Sequence, residues 1–368
     1  RVKLARMSPR DCLAKFRGPG DEESDTEKYT SFAAAKVTST FPFDKERNMR
    51  HEDPIADHCG LAAWGNRILA VVADGAGRGF RAQQAASRAV DTFISDFVDP
   101  KSSPQDLREL AAEMLRSLGH VHENIIAGTQ VVWDAGTTTL LASFLVEVEP
   151  TSATNNHKWC LITVNVGDGK TFIWNKTSKT VREVTNRLAP SPSDFRDPGG
   201  RLGPYIYQGA PDLRDLSFSH AFCGEDDFII LCSDGVYDNF DPELAGLLPK
   251  DVSSLVGSGT GSVSNLVSDL RPEQIKGRWD QLDAHTSSEL RAACRIRTLE
   301  QIIEGGDASP NARSLMRSIV NFCVRQTRST REFVEQNSIQ HIPTDYQQYP
   351  GAMDHLTCLA FQVGNVTL

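Results

Sequence analysis

The sequence predicts an α+β fold built as one large domain. Apolar strand-like runs surround two helix-like segments in the first two thirds of the chain, a mostly helical stretch follows, and one more apolar run lies near the C-terminus. This order lacks the regular alternation of strands and helices that builds a parallel sheet. Because the last strand has to return to the same β core, the helical stretch is better interpreted as an insertion than as a separate domain. The length of 368 residues suits two domains or one large one.

Hydrophobic periodicity predicts the individual elements. Residues 81–97 carry apolar side chains at helical spacing and predict an amphipathic helix. Residues 107–124 predict a second helix, with Pro104 and Asp106 near its start. Tight polar joints between the apolar runs predict antiparallel neighbours. The predicted strands are 31–37, 59–63, 68–73, 137–147, 159–166, 171–175, 180–183, 228–232 and 357–363, and the predicted later helices are 272–282, 288–303 and 311–335.

Three segments depart from this regular pattern. Residues 1–28 are polar and predict a mobile or loosely docked N-terminal arm, which leaves residues 29–368 for the folded domain. Residues 186–216 are rich in Pro, Gly and Asp and predict a long surface flap. Residues 253–337 are the predicted helical insertion, either an element that binds a regulatory partner or a solvated decoration of the core, because long insertions cost little stability.

Composition and charge exclude several classes of protein. Asp and Glu outnumber Lys and Arg by 48 to 39, which argues against nucleic acid as the main partner because duplex binding depends on Lys and Arg. No apolar run approaches the roughly 20 residues that span a bilayer, so we expect no membrane segment. The eight Cys residues form no CxxC pair and indicate buried thiols in a reducing compartment, cytoplasmic or nuclear. Because the chain starts at Arg1 and not at Met, we also allow for a removed targeting segment.

Acidic residues stand at or near the ends of several predicted strands. If those ends lie together, the carboxylates converge and repel one another unless protons or cations neutralise them. Ligands that are all oxygen suit Mg²⁺ or Mn²⁺ better than zinc. A single Asp-Gly after a strand is usually only a turn, whereas five such segments together favour a site. These acids are Glu52, Asp53, Asp74, Asp168, Asp234, Asp238 and Asp354.

A glycine-rich loop at residues 75–79 suggests a different function. It lies between a predicted strand and a predicted helix, as a dinucleotide-binding loop does. The pattern G-x-G-x-x-G needs Gly at position 80, where Phe80 stands, and Asp74 would repel a pyrophosphate. The sequence therefore disfavours a nucleotide-binding enzyme.

Six short motifs occur in order along the chain. They are Arg-His-Glu-Asp (50–53), Val-Ala-Asp-Gly-Ala-Gly (72–77), Gly-Thr-Thr-Thr (136–139), Asn-Val-Gly-Asp-Gly-Lys (165–170), Cys-Ser-Asp-Gly-Val-Tyr-Asp-Asn (232–239) and Asp-His-Leu-Thr (354–357). In this order the chain resembles the metal-dependent protein Ser/Thr phosphatases of the PP2C (PPM) type, from about residue 30 to residue 365. The resemblance implies a four-layer αββα sandwich, with two antiparallel sheets face to face and helices on both outer sides. It also implies hydrolysis of phosphoserine and phosphothreonine in phosphorylated protein substrates, and a flap that helps to select them.

The resemblance further implies roles for the matching residues. Water that bridges two Mg²⁺ or Mn²⁺ ions would attack phosphorus, and some members of the family hold a weaker third ion. Asp53 would orient the metal-bound water. The implied metal ligands are Asp74 at both ions, the Gly75 carbonyl and Glu52 at the second ion, Asp234 and Asp354 at the first, and Asp168 and Asp238 at the third.

The chain departs from the family pattern at two positions. The family usually has an Arg five residues before the second acid of the Glu-Asp pair, where Asn48 stands here. Either Arg47 or Arg50 could grip the phosphate instead, and we prefer Arg47. Ala76 stands where some members carry His as a proton donor. Two functions stay open: an active phosphatase, and a weak or inactive pseudophosphatase that acts as a binding scaffold through the helical insertion.

Overall fold

The computed structural model describes residues 2–5, 12–20, 25–99, 103–185, 199–252, 277–337 and 343–366. The strands, in chain order, are β1 (Ala14–Gly18), β2 (Thr26–Tyr29), β3 (Ala33–Ser39), β4 (Phe43–Asp44), β5 (Met49–Arg50), β6 (His58–Trp64), β7 (Arg67–Ala73), β8 (Gly75–Ala76), β9 (Thr137–Thr138), β10 (Leu140–Glu147), β11 (Trp159–Val166), β12 (Lys170–Asn175), β13 (Thr180–Glu183), β14 (Arg201–Ile206), β15 (Ala210–Asp212), β16 (Ser217–Cys223), β17 (Phe228–Cys232) and β18 (His355–Gln362). The helices are α1 (Phe80–Val98), α2 (Leu107–Ile126), α3 (Asp234–Tyr237), α4 (Ala284–Glu304), α5 (Ala312–Gln326) and α6 (Arg328–Asn337).

Two antiparallel sheets form the centre of the fold. The first sheet has the strand order β1-β6-β7-β10-β11-β16, and the second has the order β13-β12-β17-β18-β3-β2. Between them lies an apolar cluster that includes the fully buried Leu61, Leu161, Ile229 and Phe361. Because successive side chains of a strand point to opposite faces, strands that are apolar on both faces need a second cover outside the sandwich.

Helices supply the outer covers. α1 and α2 pack on the first sheet around Phe93 and Met114. α4 and α5 pack on the second sheet around Leu290 and Ile319. These four layers confirm the αββα sandwich that the resemblance implies. None of the helices in the described part of the chain combines the length and the apolarity that a membrane crossing requires.

A smaller sheet connects part of the predicted flap to the end of β7. Its strand order is β15-β14-β9-β8, in which Leu202 pairs with Thr138 and Thr138 pairs with Gly75. Neighbouring strands lie about 4.8 Å apart, so Leu202 is about 10 Å from Gly75. The flap is therefore connected at Leu202, through β9, to the residue that follows Asp74, whereas residues 186–198 fall outside the described residues.

The segment predicted as a loose arm instead contributes edge strands in its described part. β1 pairs with β6 at the edge of the first sheet, and β2 pairs with β3 at the edge of the second. Glu27 of β2 accepts hydrogen bonds from Arg313 and Arg317 of α5. The expectation of a mobile arm is therefore wrong for these strands, because short polar edge strands are stabilised by pairing partners that are distant in the sequence. Residues 1, 6–11 and 21–24 lie outside the described residues.

The stretch 253–337, predicted as an insertion, forms the outer cover of the second sheet where the structure describes it. The predicted helix 288–303 corresponds to α4, and the predicted helix 311–335 corresponds to α5 and α6. Residues 253–276, which include the start of the predicted helix 272–282, fall outside the described residues. Because α4 and α5 bury the apolar face of the second sheet, at least this part of the stretch belongs to the core architecture.

Candidate active site

Four aspartates from separate segments meet at one end of the sandwich. Each of them stands beside the end of a strand. Each interacts electrostatically with others of the group, and the carboxyl groups of Asp74 and Asp234 lie within hydrogen-bonding reach of each other. The four residues are Asp57, Asp74, Asp234 and Asp354.

The strand register brings these four residues together. His58 of β6 lies opposite Ala73 of β7, so the adjacent residues Asp57 and Asp74 leave the pair of strands side by side. In the second sheet, β17 and β18 run antiparallel. The residues after β17 and the residue before β18 therefore leave that sheet at the same end, which places Asp234 near Asp354.

Burial and repulsion raise the pKa of three of these carboxyl groups. Burial raises the pKa of Asp57 to about 7, and repulsion from Asp234 adds to the shift while a hydrogen bond from Thr357 opposes it. Burial, together with repulsion from neighbouring aspartates, also raises the pKa of Asp74 and Asp354 well above the usual range. The groups that shift these three pKa values most are other aspartates and hydrogen-bond donors, not Lys or Arg. Protons or added cations therefore have to balance the charge.

Backbone hydrogen bonds hold Asp74 in place. Its carbonyl oxygen accepts hydrogen bonds from Thr138 Oγ1 at 2.7 Å and from the Thr139 amide at 2.8 Å. The amide of Asp74 donates to Thr139 Oγ1 at 3.1 Å. The next residue must be Gly75, because a Cβ there would come within 2.4 Å of the Ala82 carbonyl oxygen. The Gly-Thr-Thr-Thr and Asp-Gly motifs thus form one local structure that fixes the position of Asp74.

Asp57 belongs to this group, although the sequence analysis did not single it out. Its side chain is fully buried, and Oδ2 accepts a hydrogen bond from Thr357 Oγ1 at 2.7 Å. Oδ1 is also buried and has no hydrogen-bond partner among the described residues. A usable signal was present, because Asp57 directly precedes an apolar strand in the same way as Asp354 does.

Thr357→Val is expected to destabilise the protein by about 1–3 kcal/mol, because it leaves a buried oxygen of Asp57 without its donor while keeping the side-chain shape. Urea denaturation at pH 6 measures the effect. Thr357→Ser retains the hydroxyl and should cost less than Thr357→Val. Equal losses in the two variants would mean that packing of the methyl group, and not the hydrogen bond, is what matters at this position.

The Glu52–Asp53 pair makes different contacts. The Glu52 carboxylate forms an ion pair with Arg78 at 2.6 Å, and Asp53 Oδ2 accepts a hydrogen bond from the Arg50 amide at 2.7 Å. Neither residue is among the groups that shift the pKa of Asp74 most. Their implied roles, Glu52 as a metal ligand and Asp53 as the acid that orients water, stay predictions.

The two arginines proposed to grip phosphate lie in different surroundings. The Arg47 side chain is 79% exposed and lies 3.6 Å from the Asp44 carboxylate. Arg50 instead donates to the carbonyl oxygens on either side of Thr40, and Thr40 exchanges hydrogen bonds with the backbone of Asp354. Arg50 is thus tied to the backbone next to Asp354 while Arg47 is exposed, and which of the two grips the phosphate stays a prediction.

Asp168 and Asp238 extend the acidic group. Burial raises the pKa of Asp238 well above the usual range, repulsion from Asp234 adds to this shift, and Arg295 counteracts it. Asp168 is also close enough to repel Asp238. The structure thus brings together six of the aspartates near strand ends, five of which the sequence analysis named.

The donor atoms suit a hard divalent cation. The carboxylates offer only oxygen, and the unpartnered Oδ1 of Asp57 is a buried acceptor that a cation or its bound water would satisfy. In the described ranges, no three Asp, Glu, His or Cys side chains already have the arrangement of a finished metal site. The Oδ1 atoms of Asp234 and Asp354 accept hydrogen bonds from the next amide in the chain, at 2.6 Å and 2.8 Å.

Comparison with known proteins identifies the family. Residues 46–269 match the family described as Protein phosphatase 2C. A Drosophila melanogaster protein, PP2C-like domain-containing protein CG9801, is 32% identical over 199 residues, which are 52% of this chain and 26% of that protein. The match thus spans about a quarter of the length of this curated relative.

A solved structure with a TM-score of 0.50 supports the same fold. The photosystem II phosphatase PBCP superposes with a TM-score of 0.50 at 14% identity, over 91% of this chain and 99% of that one. A serine/threonine phosphatase from S. agalactiae has a TM-score of 0.48 at 12% identity, over 90% and 100% of the two chains. At 14% identity the similarity to PBCP bears on the fold alone. Since the family match covers more than half of the chain and agrees with the six ordered motifs, the chain belongs to the protein phosphatase 2C (PPM) family.

Proposed function

We propose that this chain is an active phosphatase that hydrolyses phosphoserine and phosphothreonine in proteins with the help of two Mg²⁺ or Mn²⁺ ions. The observation that carries the proposal is the meeting of Asp57, Asp74, Asp234 and Asp354 at one end of the sandwich. Burying several carboxylates together costs stability, and strongly perturbed carboxyl groups are typical of functional sites. Membership of a phosphatase family supports the same function.

Each aspartate has a definite task in this proposal. Bound divalent cations supply hydroxide near neutral pH and neutralise the phosphoryl oxygens. Asp74 would hold both ions, as the family resemblance implies, and it lies within electrostatic reach of the other three carboxylates. Asp234 and Asp354 would bind from the second sheet. Asp57 would bind or orient the attacking water through its unpartnered Oδ1.

One observation favours a second function, a scaffold that binds partners without turnover. Glu52, which the family pattern would use at the site, is paired with Arg78, and Arg47, our substitute for the missing family Arg, lies beside Asp44 at the surface. Partners of such a scaffold would bind the outer helical layer. A scaffold of this kind would have no need to bind divalent cations tightly.

Phosphate release from a phosphothreonine peptide distinguishes the two functions. We expect turnover that requires Mn²⁺, stops with EDTA, and is lost in Asp234→Asn and Asp354→Asn. Calorimetry should show Mn²⁺ binding to the parent protein and weaker binding to both variants. No Mn²⁺ binding at millimolar concentration would favour the scaffold, and turnover that persists in EDTA would contradict the metal-dependent mechanism.

A further inference from the structure

Asp234 and Asp354 lie just beyond the paired part of β17 and β18. At this end of the sheet the Ser233 amide donates a hydrogen bond to the Thr357 carbonyl oxygen at 3.0 Å. After this bond the chain turns into α3 at Asp234 and leaves its partner strand. The strand pairing alone therefore does not fix the distance between the two carboxylates, and contacts outside the ladder are needed.

The side chain of Asn239 supplies such contacts. Its Nδ2 donates hydrogen bonds to the Gly235 carbonyl oxygen at 2.7 Å and to the Ala352 carbonyl oxygen at 3.0 Å. Its Oδ1 accepts a hydrogen bond from the Ala352 amide at 3.1 Å. One side-chain amide thus ties the residue after Asp234 to a residue two positions before Asp354.

The amide group of Asn239 has a single favourable orientation. The side chain is fully buried, and its hydrogen bonds use both Nδ2 hydrogens. Turning the amide over would place Oδ1 opposite two carbonyl oxygens and Nδ2 opposite an N–H group. Because buried polar groups are costly to leave without partners, this side chain can hold the two chain segments at a fixed spacing.

Two glycines allow the segments to lie this close together. A Cβ at Gly235 would overlap the His355 carbonyl oxygen and come 3.0 Å from Asp354 Cβ. Gly351 has a φ of +90°, and a Cβ there would come 2.9 Å from Asn239 Oδ1. The turn after β17 thus packs directly against the chain at Asp354, and Asn239 lies within this contact.

We propose that Asn239 is a positioning residue of the metal centre, which sets the spacing of Asp234 and Asp354 so that both carboxylates bind the same ion. This inference rests on the proposed function, since it concerns the ion that these two residues would share. Groups that orient metal ligands contribute to affinity without touching the metal, and their loss typically weakens binding about 10- to 100-fold. The sequence resemblance gave no role to Asn239, the last residue of the fifth motif.

Calorimetry with Mn²⁺ and the full chain tests the inference. Asn239→Leu keeps the branched shape of the side chain and removes all three hydrogen bonds. We expect its dissociation constant for Mn²⁺ to rise about 10- to 100-fold. An unchanged dissociation constant in a folded Asn239→Leu protein would overturn the inference. Absence of Mn²⁺ binding to the parent protein would contradict the proposed function and the inference with it, so the two failures are distinguishable.

Asn175→Leu is a matched control. Asn175 also forms buried or half-buried side-chain hydrogen bonds, one of them from Nδ2 to Asp227 Oδ1 at 3.0 Å. It stands at the end of β12 opposite to the end that pairs with Cys232 beside the site. Urea denaturation should show lower stability in both variants, but only Asn239→Leu should lose Mn²⁺ affinity, because a less stable protein that is still folded binds the metal as before. Equal losses of affinity in the two variants would count against a specific role of Asn239.

A second variant keeps the test decisive if Asn239→Leu fails to fold. Asn239→Asp retains the shape and the hydrogen bond from the Ala352 amide, but it places an oxygen opposite the two carbonyl oxygens. An added negative charge alone would tighten cation binding, whereas a disturbed spacing of the two aspartates would weaken it. Weaker Mn²⁺ binding to Asn239→Asp therefore supports the inference, and unchanged or tighter binding overturns it.

Discussion

Asp74→Asn is expected to lower phosphatase activity by at least about a thousandfold, because a metal-bound nucleophile and its charge stabilisation contribute several kcal/mol to the transition state. Asp74 interacts with all three other members of the cluster, and two threonines hold its backbone in place. The amide of Asn has nearly the same shape but lacks the negative charge. Activity towards a phosphothreonine peptide in saturating Mn²⁺ measures the loss.

Loss of folding can be separated from loss of chemistry in this variant. Asp74→Asn removes one charge from a group whose members repel one another, so the metal-free variant should unfold at a higher temperature than the metal-free parent. Asp280→Asn is a matched control, because it makes the same change at a residue whose side chain is 73% exposed. We expect full activity in this control. Activity within tenfold of the parent in Asp74→Asn would exclude Asp74 from the metal centre.

The stability of the metal-free protein is expected to fall as the pH rises from 5 to 8. The pKa of Asp57 is about 7 in the folded protein, compared with 3.8, the usual value of an aspartate, in the unfolded chain. Between these values the folded protein retains a proton that the unfolded chain has released, so raising the pH favours unfolding. The stabilisation is complete below about pH 3.8 and is lost as the pH passes through 7. From pH 5 to pH 8 this residue alone accounts for about 3 kcal/mol.

Comparison with Asp57→Asn isolates this effect. Urea denaturation in EDTA gives the free energy of unfolding of both proteins at pH 5 and pH 8, and the difference between the proteins should change by about 3 kcal/mol. Burial lowers the pKa of His355 to about 4, but this opposite pH dependence is present in both proteins and cancels. Mn²⁺ should restore the stability of the parent at pH 8, because it binds the folded state alone. The same pH dependence in Asp57→Asn as in the parent would rule out this account.

Local sequence patterns were sufficient to predict most of the helices and strands. The helical spacing over residues 81–97 and the side-chain cap at Asp106 lie within single segments, and the structure has α1 and α2 there. Asp74, Asp234 and Asp354 were found in the same way, because each stands at the boundary between an apolar run and a turn. These signals need no knowledge of the partners in space.

Asp57 was missed although it directly precedes an apolar strand, since its place beside Asp74 depends on strand register. The turn between β6 and β7 sets which residues face each other, and this register puts Asp57 beside Asp74. A shift of one residue would turn every side chain of β6 to the other face. The sequence analysis named Glu52 and Asp53 because they form a recognisable motif, whereas the structure gives their side chains other partners.

Arg295 shows a second limit of sequence reasoning. The stretch 253–337 was interpreted as an insertion because the last strand has to return to the same β core after it. In the folded chain, α4 covers the second sheet with Leu290, and its Arg291 and Arg295 bind Asp241, three residues after Asp238. One helix thus serves both the core and the chain next to Asp238, and its polar positions gave no indication of a buried role.

The pairing of β1 and β2 determines where a soluble fragment of this protein can begin. These short strands cover the outer backbone of β6 in one sheet and of β3 in the other. A fragment starting at residue 29 would lose both and leave two rows of amide and carbonyl groups open to solvent. Open rows of this kind recruit strands from other molecules and lead to aggregation. Recombinant work on this phosphatase domain therefore has to start upstream of Ala14.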